Sequence, residues 1–271
     1  MVQAKLAITT KCGARCVTCP SWKMPVVTMP FGDFRIVWDK LNNSRLVNDI
    51  VVNGTGDFFC LADYRDYARH IEDNKRKYVT IITNGQNLDY IPRVDNFIIS
   101  FNGCDKETYE NTTGLPFETT VQRIKNAYNQ LDKNVKRPEI HCLVYEGNPD
   151  PEDRIYDLFE DFPGRIRLSF KYDNQFEDDK TLAPFKRVER IPCDYLEKLI
   201  IYPTGTIIKC NHDFGGECEW GSLIWESVEE CYYGDIERIK VGFEHKHGQF
   251  KGLCEKCNYN TKTEDKFVYI K

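Results

Sequence analysis

Three cysteines, Cys12, Cys16 and Cys19, follow directly on the first strand-like run of this chain in the spacing C-x3-C-x2-C. Three thiolates on one short loop can wrap one face of a cubane iron–sulfur cluster, ligating three irons and leaving the fourth without a protein ligand. Read on spacing alone, the other candidate is a zinc knuckle. Structural zinc is closed and tetrahedral, however, and wants a fourth ligand close by. Either way the loop must be held by a scaffold stiff enough to keep three sulfurs in place, and that requirement limits what the rest of the chain can be.

Compartment decides how the remaining cysteines are read. The chain has 271 residues and 12 cysteines. Its N-terminus, MVQAKLAITTKCGARC, has no apolar signal-peptide core, and no run of about 18 apolar residues could span a membrane. These features predict a cytoplasmic protein with no membrane association. A disulfide framework would be reduced there, so clustered cysteines read as metal or cluster ligands. Lys and Arg number 37 against 42 Asp and Glu, a net charge of -5. That balance argues against general nucleic-acid binding but leaves room for a nucleotide in a local pocket.

The scaffold is legible as alternation. Short apolar or β-branched runs at 4–9, 49–53, 78–83, 97–101, 140–145 and 166–170 predict strands. Helical patterns lie between them at 34–41, 62–74, 117–131 and 151–162; Ile124, Ala127, Tyr128 and Leu131 share one helical face. Strand–helix repetition with apolar strands predicts an α/β fold, a parallel sheet wrapped by helices. Six strands are too few for a closed eight-stranded barrel, so an open, partial (β/α)6 barrel is expected. In that architecture the site sits at the C-terminal ends of the strands, which is where the cysteine loop falls. Arg167, Lys171 and Tyr172, near the end of the sixth strand, are candidates for a proton acceptor or an anion holder in catalysis.

Residues 173–190 are polar and charge-rich and read as a linker between a core at 1–172 and a smaller domain at 191–271. The smaller domain opens with LIIYPTGTIIKC, two β-rich runs around Pro203-Thr204-Gly205, a hairpin signal. Cys193 and Cys210 bracket that hairpin, and Cys254 and Cys257 form C-x2-C. Four such thiols could ligate a second [4Fe–4S] cluster or staple a zinc ribbon. Five cysteines remain: Cys60, Cys104, Cys142, Cys218 and Cys231. Cys142 is expected in the strand core, whereas Cys218 or Cys231 could replace one of the four ligands. His212, two residues after Cys210, is read as a surface or hydrogen-bonded residue, and His245 and His247 as part of a solvated loop. Trp220 and Trp225 are expected in the core of the small domain.

Five short motifs, each at a strand end and in order, carry a family resemblance. TTKCGARCVTCP resembles the cluster loop of radical S-adenosylmethionine (SAM) enzymes. NGTGD, with Gly54, Thr55, Gly56 and Asp57, is similar to the glycine-rich stretch that holds the methionine end of SAM, where glycine lets backbone approach a ligand. TNG, with Thr83 and Asn84, follows the third strand. ISFNG, with Ser100 and Asn102, looks like the ribose-contacting strand, and Asn148 falls where the family often has Asn. Two positions depart from the family pattern: Thr18 stands where an aromatic residue usually precedes the third cysteine, and Asp57-Phe58 stands where Glu-Pro usually closes the glycine-rich stretch. The second cysteine set resembles the SPASM/twitch domains of the same family. With 14 residues and no cysteine after Cys257, it matches the shorter twitch form, and size and spacing are most similar to a small-molecule dehydrogenase of that group.

The resemblance implies a partial barrel of the radical SAM type with a small α+β twitch-like domain. It implies two [4Fe–4S] clusters, on Cys12, Cys16 and Cys19 and on Cys193, Cys210, Cys254 and Cys257, with SAM as cosubstrate. It further implies reductive cleavage of SAM to a 5′-deoxyadenosyl radical, oxidation or modification of a small-molecule or nucleotide-like substrate, and an external one-electron reductant such as flavodoxin or ferredoxin. Two other readings stay open: a maturase that modifies a peptide, and a zinc-stapled binding protein without enzymatic activity.

Overall fold

In the computed structural model, residues 1–17, 19–144, 148, 151–170, 187–190, 194–210, 213, 219–234, 239–242, 244, 261–263 and 269–270 are described. Six strands, β1 (Val2–Leu6), β2 (Val47–Val52), β3 (Tyr78–Thr83), β4 (Val94–Ser100), β5 (Val135–Val144) and β6 (Arg165–Phe170), pair in parallel, each with the next. Helix α1 (Phe31–Asn43) connects β1 to β2 and α2 (Tyr64–Asn74) connects β2 to β3. Between β4 and β5 run α3 (Lys106–Thr113), α4 (Phe117–Asn126) and α5 (Tyr128–Asn134), and α6 (Glu152–Leu158) leads into β6. The alternation expected from sequence is therefore the architecture, with strand ends shifted by up to three residues except at β5, which begins five residues earlier than expected. The single helix expected over 117–131 is two helices, because the chain turns out of α-geometry at Ala127 (ψ -8°), whose N–H is shared among three carbonyls.

Helices pack against one face of the sheet. Leu6, Ile50, Ile81, Phe97, Ile99 and Ile140 point there and are buried, as are Phe34, Trp38 and Leu41 of α1, Tyr67 and Ile71 of α2 and Ile124 of α4. Each such side chain contributes about 1.5–3 kcal/mol on burial, so this face holds the fold. Most of the alternate residues on β4–β6 that face the other way are polar: Asn96 and Ser100 on β4, Glu139 and His141 on β5, Arg165, Arg167 and Ser169 on β6, with Ile98 and Leu143 among them.

The sheet continues past residue 190. After β7 (Arg187–Arg190), β8 (Leu199–Ile201) pairs in parallel with β1, β9 (Thr206–Ile208) returns antiparallel to β8, and β10 (Glu219–Ser222) adds to β9. The expected hairpin at 199–210 is present, and Gly205 closes it at φ +82°, a conformation that L side chains rarely adopt. Helix α7 (Val228–Tyr233) begins with a reciprocal Ser227–Glu230 capping box. It is tied to α1 by Ser44 Oγ donating to Glu229 Oε1 (2.7 Å) and by Lys40 Nζ donating to Glu226 O (2.9 Å). Strand β11 (Thr261–Thr263) pairs with β7, and β12 (Tyr269–Ile270) pairs antiparallel with β6. Ten strands thus share one sheet, in the order β10-β9-β8-β1-β2-β3-β4-β5-β6-β12. The segment read from sequence as a separate small domain adds strands to both edges of the core sheet. Among the described residues no helix is long and apolar enough to cross a membrane.

At the N-terminal end of the strands Asp95 is buried. It accepts from Lys136 Nζ (2.5 Å), Lys75 Nζ (2.9 Å) and the Val79 N–H (3.0 Å). Burial works to raise its pKa, but these three donors outweigh it and hold the carboxyl at about 2. Because the folded-state value is depressed, the stabilisation is complete above the unfolded carboxyl range, about pH 4, and is lost as pH falls towards 2. Asp95→Asn is expected to destabilise the fold by about 1–3 kcal/mol at neutral pH. In denaturant titrations the gap between wild type and variant should close below about pH 4; a gap that does not change with pH would remove the ionic contribution.

Candidate functional site

The site is built from loops at the C-terminal ends of β1 to β5. The first, carrying the three cysteines, is closed at its base. Thr9 Oγ1 pairs with Thr28 Oγ1 (2.7 Å), Thr10 Oγ1 donates to Pro25 O (2.8 Å) and accepts from the Val27 N–H (2.7 Å), and Met29 N donates to Ile8 O (2.8 Å). Its middle is docked on α3, with Arg15 N on Thr113 O (2.7 Å) and Val17 N on Thr112 O (2.9 Å). Cys19 N donates to Cys16 O (3.1 Å), and the Trp22 indole donates to the same carbonyl (3.2 Å). Two polar groups reach the sulfurs: Asn84 Nδ2 donates to Cys12 Sγ (3.5 Å), and Ser21 Oγ lies 2.9 Å from Cys19 Sγ.

Electrostatics bear on what the thiols can hold. Burial pushes the Cys12 thiol up to about 12, with Asp57, Cys60 and Cys16 adding to the rise. Burial followed by Cys19 does the same for Cys16. Thiolates here need a compensating positive group, which iron would provide. The donor set fits a cluster: three half-buried thiols on one pinned loop, with hydrogen-bonding groups at two of the sulfurs. Among the described residues no three His, Cys, Asp or Glu side chains are gathered in a group that could hold a metal ion. Cys60, which no sequence motif singled out, lies beside Cys12. Both line a cavity of about 550 Å³ with Lys11, Phe59, Gln86 and Arg123.

The NGTGD loop packs directly on the cysteine loop. A Cβ at Gly56 would lie 2.4–2.6 Å from backbone atoms of Thr9, Thr10 and Lys11, and one at Gly54 would lie 2.2 Å from Ala7 Cβ. Glycine here permits loop-on-loop contact, a role that the sequence reading assigned to ligand approach. Asp57 locks the arrangement. Its N–H donates to Lys11 O (2.8 Å), and its carboxylate accepts from Thr83 Oγ1 (2.8 Å), Asn84 N (2.8 Å) and Phe59 N (3.1 Å). Burial raises its pKa despite these bonds. The chain thus brings Cys12, Gly56, Asp57, Thr83 and Asn84 together.

Ser100 and Asn102 follow at the end of β4. Asn102 Nδ2 donates to Ser100 Oγ (3.4 Å), and Asn102 Oδ1 accepts from Leu143 N (3.1 Å). Asn148 is buried and donates to Leu143 O (2.9 Å) and Cys142 Sγ (3.4 Å). Two polar atoms at this end of the sheet, Thr55 Oγ1 and Asn148 Oδ1, are buried without a partner among the described residues. Buried polar atoms are nearly always satisfied, so a polar ligand fits both.

Arg167 lies on the polar face of β6, paired with Glu139. Sequence reasoning passed over Glu139 and His141; the signal was a charge and an imidazole alternating with apolar residues in PEIHCLV. Cys142 is buried in the strand core, as expected, and Cys210 is half-buried just after β9. Cys231 packs in the core on α7, where burial pushes its thiol up to about 12. Trp220 is buried, but Trp225 is 85% exposed. The core expectation fails for Trp225 because the residue lies on the turn before α7, outside its apolar face. Lys171, Tyr172, Cys193, Cys218, Cys254, Cys257, His212, His245, His247 and Thr18 lie outside the described residues.

No family model matches the chain and no curated protein sequence is similar to it, but solved structures are. SuiB from Streptococcus suis, bound to precursor peptide SuiA, superposes with a TM-score of 0.66 at 13% identity over 89% of this chain and 66% of SuiB. BtrN, in complex with AdoMet and 2-DOIA, gives 0.60 at 11% identity over 95% of this chain and 93% of BtrN. Native anSMEcpe with bound AdoMet gives 0.60 at 15% identity, over 95% of this chain and 86% of that one. The chain thus spans about two thirds of SuiB and nearly all of BtrN. All three are radical SAM enzymes, and the chain has their fold, a parallel-sheet partial barrel with the cysteine loop at the C-terminal end of its first strand.

Proposed function

We propose that this chain is a radical SAM oxidoreductase acting on a small-molecule or nucleotide-like substrate. The observation that carries the reading is the pinned Cys12-Cys16-Cys19 loop set against the loops of β2 and β3 in a partial barrel. A [4Fe–4S] cluster with SAM supplies, when bound, a one-electron reductive cleavage to a 5′-deoxyadenosyl radical that removes a substrate hydrogen atom. In this reading Cys12, Cys16 and Cys19 hold the cluster, and Asn84 donates to the Cys12 sulfur. Thr55 Oγ1 and Asn148 Oδ1 are offered to SAM. Gly54, Gly56, Asp57 and Thr83 fix the loops that surround it, and Ser100 and Asn102 end the strand beside its ribose. An external one-electron carrier such as flavodoxin or ferredoxin supplies the electron, and the site lies in the cytoplasm.

In the same reading Cys193, Cys210, Cys254 and Cys257 hold a second [4Fe–4S] cluster in a twitch-like domain over 191–271, joined to the 1–172 core by the segment 173–190. Four cysteines leave no iron open to substrate, so the second cluster serves as an electron acceptor. SuiB, bound to its precursor peptide, supports a second reading in which the substrate is a peptide. A zinc-stapled binding protein is separated from both by metal analysis.

Anaerobically purified protein is expected to hold about eight irons and eight sulfides per chain; zinc in their place would overturn the reading. The triple variant Cys12→Ala/Cys16→Ala/Cys19→Ala should keep about half the iron and form no 5′-deoxyadenosine with dithionite and SAM. Cys254→Ala/Cys257→Ala should also lose about half the iron yet still form 5′-deoxyadenosine. Wild-type iron content in that double variant would exclude these two ligands. Gly56→Val should force the cysteine loop away from β2, so both first-cluster iron and SAM affinity should fall. A folded Gly56→Val protein with its full iron content and SAM affinity would separate Gly56 from the site.

A further inference from the structure

The register of β4, β5 and β6 lays two rows of side chains across the polar face of the sheet. Ser100 is paired with His141 and His141 with Arg167; one step towards the N-terminal end, Ile98 is paired with Glu139 and Glu139 with Arg165. Neighbouring strands stand about 4.8 Å apart. Arg167 is therefore about two strand spacings, roughly 10 Å, from Ser100 at the end of β4, on the same face.

Glu139 is fully buried, with 0% side-chain exposure. Arg165 sends both Nε (2.6 Å) and Nη2 (2.5 Å) to Glu139 Oε2. Arg167 sends only Nε, to Oε1 (2.7 Å). Among the described residues Arg167 makes no other hydrogen bond or ion pair, and its side chain is 24% exposed. Glu139 thus holds the Arg167 guanidinium through Nε alone, and among the described residues its two Nη groups have no partner. A staple built only to join two strands would use those donors, as Arg165 uses its own.

Charge points the same way. These rows hold two guanidiniums and one carboxylate, and Arg137 adds a third guanidinium at the lower, exposed end of β5. His141 contacts Ser169 and is neutral at physiological pH, because burial and Arg167 push it down to about 3. The polar face of β4–β6 therefore presents an oriented planar fork, the geometry that matches a carboxylate or phosphate through two parallel N–H···O bonds.

We propose that the substrate carries an oxyanion group, a carboxylate or a phosphate, held by the Nη edge of Arg167, with Glu139 as the positioning residue behind it. This substrate class rests on the radical SAM reading of the site. It narrows the substrate from small molecules in general to anionic ones and sets the anionic group about two strand spacings from Ser100.

Residue-specific labelling tests it on the reconstituted, SAM-loaded holoenzyme. Phenylglyoxal modification is followed peptide by peptide with inorganic phosphate or acetate as the probe, and Arg93, 74% exposed, serves as the reference. Phosphate or acetate should slow labelling at Arg167 and leave Arg93 unaffected, and the more protective anion identifies the group. Calorimetric titration of the same anion into Arg167→Gln should show an affinity reduced by about tenfold or more, and Arg167→Lys should recover part of it for phosphate but less for the planar carboxylate. If neither anion protects Arg167, or if folded Arg167→Gln binds as wild type does, the proposal is overturned. If Arg167→Gln does not fold, the wild-type labelling decides alone. The radical SAM reading fails separately, when the wild-type holoenzyme with dithionite forms no 5′-deoxyadenosine.

Discussion

The candidate site depends on one buried carboxylate. Removing Asp57 from water costs several kcal/mol unless hydrogen bonds replace its hydration. Three donors from two loops do so: Thr83 Oγ1 and the N–H groups of Asn84 and Phe59. Meeting that demand fixes the loop after β3 against the loop after β2. The Asp57 N–H then ties the loop after β2 to Lys11 in the cysteine loop, and Asn84, placed by the same carboxylate, reaches Cys12 Sγ. Three strand ends are thereby set in one geometry by a group that is itself buried. The shorter aspartate, standing where the family pattern has glutamate, suits this inward role.

The same carboxylate makes the cysteine loop incomplete as a bare protein. Burial is the main barrier to ionisation of Cys12, and Asp57, Cys60 and Cys16 add to it. A cationic centre bound to the sulfurs would relieve every one of these costs together. Binding of such a centre would therefore be coupled to ordering of the site, and a change at Gly56, which touches no sulfur, would be transmitted to the thiols through the backbone of Thr9 to Lys11.

How far the sequence reveals this follows from where the information is local. Each loop motif, from the three cysteines to TNG and ISFNG, sits at the end of an apolar strand run, and a parallel α/β sheet gathers such ends at one edge. That made the order of the site readable without knowing any contact. What escaped depends on register. Glu139, His141 and Arg167 become one group only when β5 and β6 pair with Glu139 opposite Arg165, and nothing local to either strand states that offset. The hairpin around Gly205 was equally local and readable. Its parallel pairing with β1 was not, and through it three strands of residues 191–271 extend the core sheet beyond β1. The break at Ala127 and the exposure of Trp225 belong to the same class, since tertiary placement overrode a pattern that fitted a longer helix and a buried indole.

The two faces of the sheet divide the work between stability and chemistry. The helix-packed face is apolar throughout and stabilises the fold, so the opposite face is free to carry residues that a core would not tolerate: a buried glutamate, a neutral histidine and partly exposed arginines. Such a face survives only if its charges are paired or its edges are covered. Glu139 provides the pairing. The short strand β12 covers the open edge of β6, with Tyr269 opposite Arg167 in the ladder, and β8 covers the edge of β1. Covering β6 in this way removes unpaired backbone groups that would otherwise invite another chain. It also places β12 against the strand that bears Arg167, at the opposite side of the parallel sheet from the Asp57 network at the ends of β2 and β3.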